Sequence, residues 1–397
     1  METTLRSLSL IAGLVLFWMA ASAVVSTMLI PRPARQWLSR GVANVLHWIF
    51  ASLAGRIRSY DRVDRILAAQ GPVAVLFFLS MFLLLFMAAF GLIFHGLGTP
   101  SPLEAFFQSG SGLSTLGILD VSKPWHVVAM VASAFTGTIV VAIFLGFLMA
   151  LYVAYSAREA VMGKLALAVG EPAWGPEFLV RLQRLGTTIE DSDIPGWIDW
   201  LCTLRVNQYI YPLLNHFRSP FFRRHWVATL LALCDAAAIR LANSKETRNL
   251  HLVRLIAEGS DTFHLLRDSE IARIKRQHNS PAMSPWRLER SILDGHNDSS
   301  AVVDPGIPRN EWNWVMDFLA VNGVETNPDR EASWRAFCSL RSLYAAPAIF
   351  LAEYLHVVPA PWTRHTQEGR LHRFETMFPQ LAAERIKTTP FPKWGLQ

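Results

Sequence analysis

The sequence predicts an all-α membrane protein: three transmembrane helices, a short re-entrant helix between the second and third, and an all-helical domain after the last span. Three observations point there. Hydrophobic residues make up 52% of the 397 and charged ones only 17%, less charge than a soluble chain of this length normally carries. Residues 8–30, 72–97 and 126–155 are each long and apolar enough to cross a hydrocarbon core, which takes about 20 helical residues. Beyond residue 157 the apolar positions recur with a helical period, and few stretches alternate as strands do.

The first run, inside an N-terminal span over 1–30, holds no charge. Arg6 before it and Ala21-Ser22-Ala23 within it resemble the flanks of a cleavable signal. Its apolar core is longer than a signal needs, however, and arginines follow at once. Residues 31–70 carry seven of them against Asp61 and Asp64, a net charge of about +5. The positive-inside rule then makes this segment cytoplasmic. The N-terminus lies outside, 98–125 face out, and everything after Arg158 is cytoplasmic, in a multi-pass protein of the plasma or inner membrane.

Because almost all of the overall +6 sits in that one segment, nucleic acid is not the implied partner. Anionic lipid headgroups are. Val42, Val45, Leu46, Ile49 and Leu53, with Trp37 and Trp48, fit an amphipathic helix along the membrane surface; a plain basic linker helix is the alternative.

Residues 71–157 hold two spans and the polar stretch between them. Ser101-Pro102-Leu103-Glu104 is a helix start, with Ser at the N-cap, Pro at the first helical position and Glu placed to close a capping box. A helix from Pro102 to about Leu113 follows, too short to span a membrane. Its small residues Ser109, Gly110, Ser111 and Gly112 allow neighbouring backbones to come close. The segment Ser114 to Asp120 is extended or irregular by composition. Irregular backbone at membrane depth is tolerated only where protein encloses it or it lines a watery path. Carbonyls of such a segment, repeated around an axis, can replace a cation's hydration shell, with the negative end of the short helix adding stabilisation.

In these residues the chain resembles the single-pore-loop, two-transmembrane-helix potassium channel superfamily. Thr115-Leu116-Gly117-Ile118-Leu119-Asp120 can be laid without a gap on that family's filter, Thr-Val-Gly-Tyr-Gly-Asp. Phe106 and Phe107 then fall in the aromatic part of the pore helix, Pro124 follows the filter, and Gly137 sits near the bend of the inner helix. The resemblance covers roughly residues 72–156. It implies potassium in transit at the carbonyls of Thr115, Leu116 and Gly117, and filter positions through Ile118 and Leu119. It further implies Asp120 and Glu104 at the outer mouth, Gly137 as the inner-helix hinge, and a homotetramer. Leu119 stands in place of the second filter glycine, at a conformation costing an L-residue roughly 1–2 kcal/mol, and Ile118 replaces tyrosine. Strict selectivity for potassium over sodium is therefore not implied. The lone Thr-x-Gly is also similar to Trk-type potassium transporters, which carry four such loops in one chain; here one loop requires several copies.

Residues 158–397 read as a cytoplasmic helical domain. Phe178, Leu179, Leu182 and Leu185 form one helix face; Val227, Leu230, Leu231, Cys234, Ile239 and Leu241 form another. Further helices are expected over 250–276, 312–321 and 334–354, with breaks at 170–176, 191–196 and 277–308. The run from 211 to 242 resembles the helical tails of ion-channel-like bacterial membrane proteins. No Gly-x-Gly-x-x-Gly or other phosphate loop is present. His251, His264, His278 and His296 lack metal-ligand spacing, and Cys202, Cys234 and Cys338 are too scattered for a disulfide framework. Asp294 to Asp298 lies in a loop-rich stretch with no partner motif. Arg223-Arg224-His225 is the best local cluster for an anion, with a solvated helix start as the blander reading. No cofactor and no enzymatic activity are expected. The residues point to a cation channel; the alternative is a membrane-anchored helical sensor or scaffold whose hairpin is structural.

Overall fold

A computed structural model describes residues 2–29, 45–46, 48–50, 52–53, 60–118, 123–221, 223–244, 249–274, 306–358 and 360–363. All regular structure among them is helical. The chain divides into two compact units, Met1–Ser52 with Ala69–Tyr155, and Leu53–Ala68 with Ser156–Gln397.

Among the described residues four helices are long and apolar enough to cross a membrane: Thr3–Leu29, Arg62–Leu97, Pro124–Val169 and Trp226–Asn243. That is consistent with a membrane protein. Burial separates them. Protein covers only 17%, 39% and 28% of the apolar windows of the first three, but 94% of the fourth. The fourth is the core helix of the second unit, hydrophobic all round because its neighbours surround it.

In the first unit, α1 (Glu2–Val24, ending in a π-helical turn over Val25–Leu29) packs on the helix that precedes the polar stretch. In chain order α2 (Tyr60–Ala68) follows and belongs to the second unit, then α3 (Gln70–Leu97), α4 (Pro102–Leu113) and α5 (Pro124–Val169), which leaves the first unit after Tyr155. Small residues set the α1–α3 approach, as between helices that have no hydrophobic drive to associate. Gly13 lies against the Ala89 carbonyl and Ile93, and Gly96 lies against the backbone of Leu10. Phe17 meets Phe86 and Phe90 edge-on at 5.6 and 5.5 Å.

Helix α4 sits between α3 and α5. On one side Gly91 is close to Phe106, Gly110 lies under Met87, and the Ser109 hydroxyl donates to the Met87 carbonyl at 2.7 Å. On the other, Gly112 faces Ser133 and Met130, and Gly137 abuts the Leu113 carbonyl. The helix starts as expected with Pro102 at its first position, but the capping box does not form. The Ser101 side chain makes no cap bond, and its carbonyl instead accepts from the Ala105 N–H at 3.0 Å. Ser101 and Glu104 are exposed, so water can satisfy their side chains equally well.

The second unit adds α6 (Gly175–Arg184), α7 (Ile194–Ile210), a 3₁₀ turn (Pro212–His216), α8 (Trp226–Asn243), α9 (Leu250–Ile274), α10 (Arg309–Val321), α11 (Arg330–Ser342) and α12 (Ala345–Tyr354). Helix α8 is the hub, packed by α6, α9, α11 and α12. Trp174 stacks on Trp314 and Phe318 at 6.0 and 5.9 Å, and Trp312 stacks on Phe337 at 4.3 Å. Cys234 and Cys338 are buried and Cys202 is half-buried, none in a disulfide.

Two expectations for this unit need correction. The predicted helix over 334–354 is two helices, because Pro347 has no N–H for the Leu343 carbonyl four residues earlier. That carbonyl accepts instead from the Ser260 hydroxyl at 2.8 Å and from His264 Nε2 at 3.0 Å. Leu185 is no part of its helix's buried face: it follows the last turn and is 75% exposed. In the basic segment, Val45, Trp48, Ile49 and Leu53 are exposed and Leu46 is buried. Trp37, Val42 and the arginines at 32, 35, 40, 56 and 58 lie outside the described residues, as do residues 277–305 and the tail after 363.

Candidate functional site

The connection from α4 to α5 is built at the C-terminus of α4. A helix leaves its last carbonyls without partners unless the following chain turns back to them. Here it does so in the pattern that closes helices through a left-handed residue. The Thr115 N–H bonds the Gly112 carbonyl at 2.9 Å and the Leu116 N–H bonds the Ser111 carbonyl at 3.1 Å. Thr115 takes φ +59°, a position usually given to glycine and costly for a β-branched residue.

The next two residues repeat the attachment. The Gly117 N–H reaches the same Ser111 carbonyl at 3.3 Å, and the Ile118 N–H donates to the Ser111 hydroxyl at 2.9 Å. Gly117 is left-handed as well, at φ +60°. Ser111 therefore collects three successive N–H groups. Among the described residues no hydrogen bond is made to the carbonyls of Thr115, Leu116, Gly117 or Ile118. The segment is not extended; it is a tightly tethered turn with its donors drawn in and its acceptors open.

All four residues are exposed in the single chain, Leu116 at 66% and Ile118 at 73%. Beneath them a cavity of about 460 Å³ is lined by Leu83 and Met87 of α3, Leu113, Ser114, Thr115, and Thr138 of α5. Leu119 and Asp120, expected at the outer filter position and the mouth, lie outside the described residues. Glu104 is exposed in the first turn of α4.

Helix α5 runs unbroken through Gly137, and the glycine's place there follows from its contact with the end of α4: a Cβ would collide with the Leu113 carbonyl. Gly146 of the same helix has open space around it. Gly137→Ala is accordingly expected to cost about 1–3 kcal/mol, as overpacking does, and to lower the thermal midpoint in detergent. Gly146→Ala should leave it unchanged or slightly raised, since alanine is the better helix former.

A second polar knot ties the other end of the α4 region. The Thr99 hydroxyl donates to Gln108 Oε1 at 3.0 Å and so accepts from His126 Nε2, at 3.4 Å. His95 Nδ1 donates to the Thr99 carbonyl at 3.1 Å, and the His126 ring stacks on Phe94. Thr99, Gln108 and His126 are buried, so α3, α4 and α5 are joined by one hydrogen-bonded group. Sequence reading missed this knot, and it missed Ser111 as the organising residue. Ser111 read only as one of the small residues that let backbones come close, and nothing in the spacing of Thr99, Gln108 and His126 marks them as partners.

In the basic cluster at 218–225 two of the arginines are engaged in ion pairs. Arg224 pairs with Glu171 at 2.6 Å and lies over the Phe221 ring; Arg218 pairs with Asp64 at 2.9 Å. His225 is buried, and its Nδ1 accepts from the Val227 N–H at the start of α8.

No protein-family model matches this chain, and no characterised protein or solved structure is detectably similar to it.

Proposed function

We propose that the chain is the subunit of a cation channel, conducting potassium passively through a ring of Thr115–Ile118 carbonyls contributed by several copies. The observation that carries this reading is the asymmetry of the turn. Four consecutive N–H groups are occupied at the end of α4 while their four carbonyls accept nothing among the described residues. Backbone carbonyls need partners, and a dehydrated monovalent cation is one that a row of carbonyls satisfies. The C-terminal end of α4, where backbone dipoles leave partial negative charge, lies beside the same turn.

Two further features support it. Thr115 holds a conformation that costs an L-residue about 1–2 kcal/mol, and strain of this kind points to a use at the site where it occurs. The turn is exposed on one side in a single chain, whereas irregular backbone in a membrane must be enclosed. Further copies, four in a closed ring, supply that enclosure. In this arrangement the N-terminus and the α4 region face outward, the second unit is cytoplasmic, and Gly137 lies on the inner helix.

The test is potassium and sodium flux in liposomes holding the purified protein, over a range of voltage and pH. Potassium flux that saturates with protein density supports the channel. Flux absent throughout, with the protein correctly inserted, would favour a membrane-anchored scaffold instead.

A further inference from the structure

In the second unit one short segment, the 3₁₀ turn from Pro212 with Phe217 and Arg218 after it, bonds both α5 and α2. Helix α5 passes Tyr155 and enters the second unit at Ser156, and two residues later Arg158 is 5% exposed. Its guanidinium donates to the Leu214 carbonyl at 2.9 Å and the Phe217 carbonyl at 2.6 Å, and it pairs with Glu159 at 3.0 Å. The Leu214 carbonyl also accepts from the Phe217 N–H at 3.1 Å, so Arg158 reinforces the bond that closes the 3₁₀ turn and holds the residue just after it.

The residue after Phe217 is Arg218, which makes the matching grip on the other helix. Its Nη1 donates to Asp64 of α2 at 2.9 Å, with the two side chains only 8% and 10% exposed. Its Nη2 donates to the carbonyls of Leu355 and His356 at 2.8 and 2.7 Å, at the end of α12. Helix α2 belongs to the second unit, yet it ends at Ala68, and α3 begins at Gln70. One peptide plane, from Phe217 to Arg218, thus separates the attachment of α5 from the attachment of the helix that leads into α3. His225 closes the group: burial, with Arg218 and Arg158 facing it, pushes its pKa well down, so it sits there neutral.

We infer that residues 212–218 are a coupling clamp through which the cytoplasmic domain sets the conformation of the pore, by gripping Arg158 of α5 and Asp64 of α2 together. The inference rests on the channel reading above. Charge-assisted bonds in a dry setting are short and directional, and the planar arginine fork reaches Asp64 and the two carbonyls from separate nitrogens, a geometry that lysine's single nitrogen does not reproduce. Movement of the 212–218 segment against the end of α12 must therefore displace α2, α5 or both, and continuous helix or a single linking residue carries that displacement along α5 and into α3. The device needs two arrangements of the segment that differ in pore conductance.

Two variants test it in the full-length protein in nanodiscs and liposomes. Asp64→Asn removes the charge with little change of shape, and Arg218→Lys keeps the charge but loses the fork. Deuterium exchange of the α2 amides, measured without reference to flux, is expected to accelerate tenfold or more in both, and potassium flux per protein to change at least fivefold. Unchanged exchange in α2 would show that the grip does not hold it, and overturn the clamp. Accelerated exchange with flux equal to wild type would leave the bonds real but the coupling wrong. Absence of flux from the wild type itself would remove the channel reading and the coupling with it, whatever the exchange in α2.

Discussion

Replacing Gly117 with valine is expected to abolish cation flux while leaving the protein folded. Two properties of the position separate those outcomes. A side chain added there meets nothing within 4 Å in the chain, so there is no steric reason to unfold. The backbone, however, sits at φ +60°, which costs an L-residue about 1–2 kcal/mol and a β-branched one more. Relaxing that strain turns the peptide planes on both sides of residue 117. The carbonyls of Leu116 and Gly117 would swing away from the axis, and in a ring the cost recurs in every copy.

Leu116→Ala is the matched control. Leu116 is 66% exposed and its φ is not positive, so truncation should alter stability by no more than about 0.5 kcal/mol and preserve flux. Flux normalised to inserted protein, alongside the thermal midpoint, distinguishes the cases. Wild-type flux in the Gly117→Val protein would mean that these carbonyls do not coordinate the ion.

Much of this architecture could be read from local signals, and the rest required tertiary contacts. Helix α4 was legible over Pro102–Leu113 because proline fixes a helix start and the small residues that follow suit close packing. The same stretch shows how a correct boundary can come with a wrong detail, since the Ser101–Glu104 box is absent. The turn after α4 was legible as irregular but not as tethered. Threonine is a poor candidate for a left-handed position, and nothing about Ser111 in sequence marks its carbonyl and hydroxyl as acceptors for residues five to seven places on. Asp64 and Arg218 are 154 residues apart, beyond any periodicity argument. In sequence Asp64 is one of two acids in a basic segment, whereas folding pairs it with Arg218 in the second unit.

The core of that unit yields the other large effect. Arg341 is fully buried and lies 3.2 Å from Asp235, which also accepts from the Tyr344 hydroxyl at 2.8 Å. Arg341 donates further to the Trp362 carbonyl at 2.9 Å. Removing either partner strands the other, a loss of about 3–5 kcal/mol for a buried pair, but the two removals are not equivalent. A guanidinium cannot shed its proton, so Asp235→Asn leaves Arg341 charged at every pH from 5 to 8. Because the wild-type carboxyl is itself neutral below about pH 6, the cost of this variant does not grow with pH and shrinks as the wild type loses stability above about 6. A carboxyl can take one up. Burial raises Asp235 from 3.8 to about 6, against the pull of Arg341 and the Tyr344 hydroxyl. A raised carboxyl pKa favours the folded state below the unfolded value, and that contribution is lost as pH climbs through about 6. Arg341→Met removes a charge that holds the value down, so Asp235 rises further and becomes neutral near pH 5. The stability gap between Arg341→Met and wild type should therefore be small at pH 5 and widen to several kcal/mol by pH 8, while that of Asp235→Asn narrows over the same range. Chemical denaturation of the full-length protein in detergent at four pH values measures both gaps. A gap for Arg341→Met that does not grow with pH would mean that Asp235 stays ionised in the folded core without its arginine.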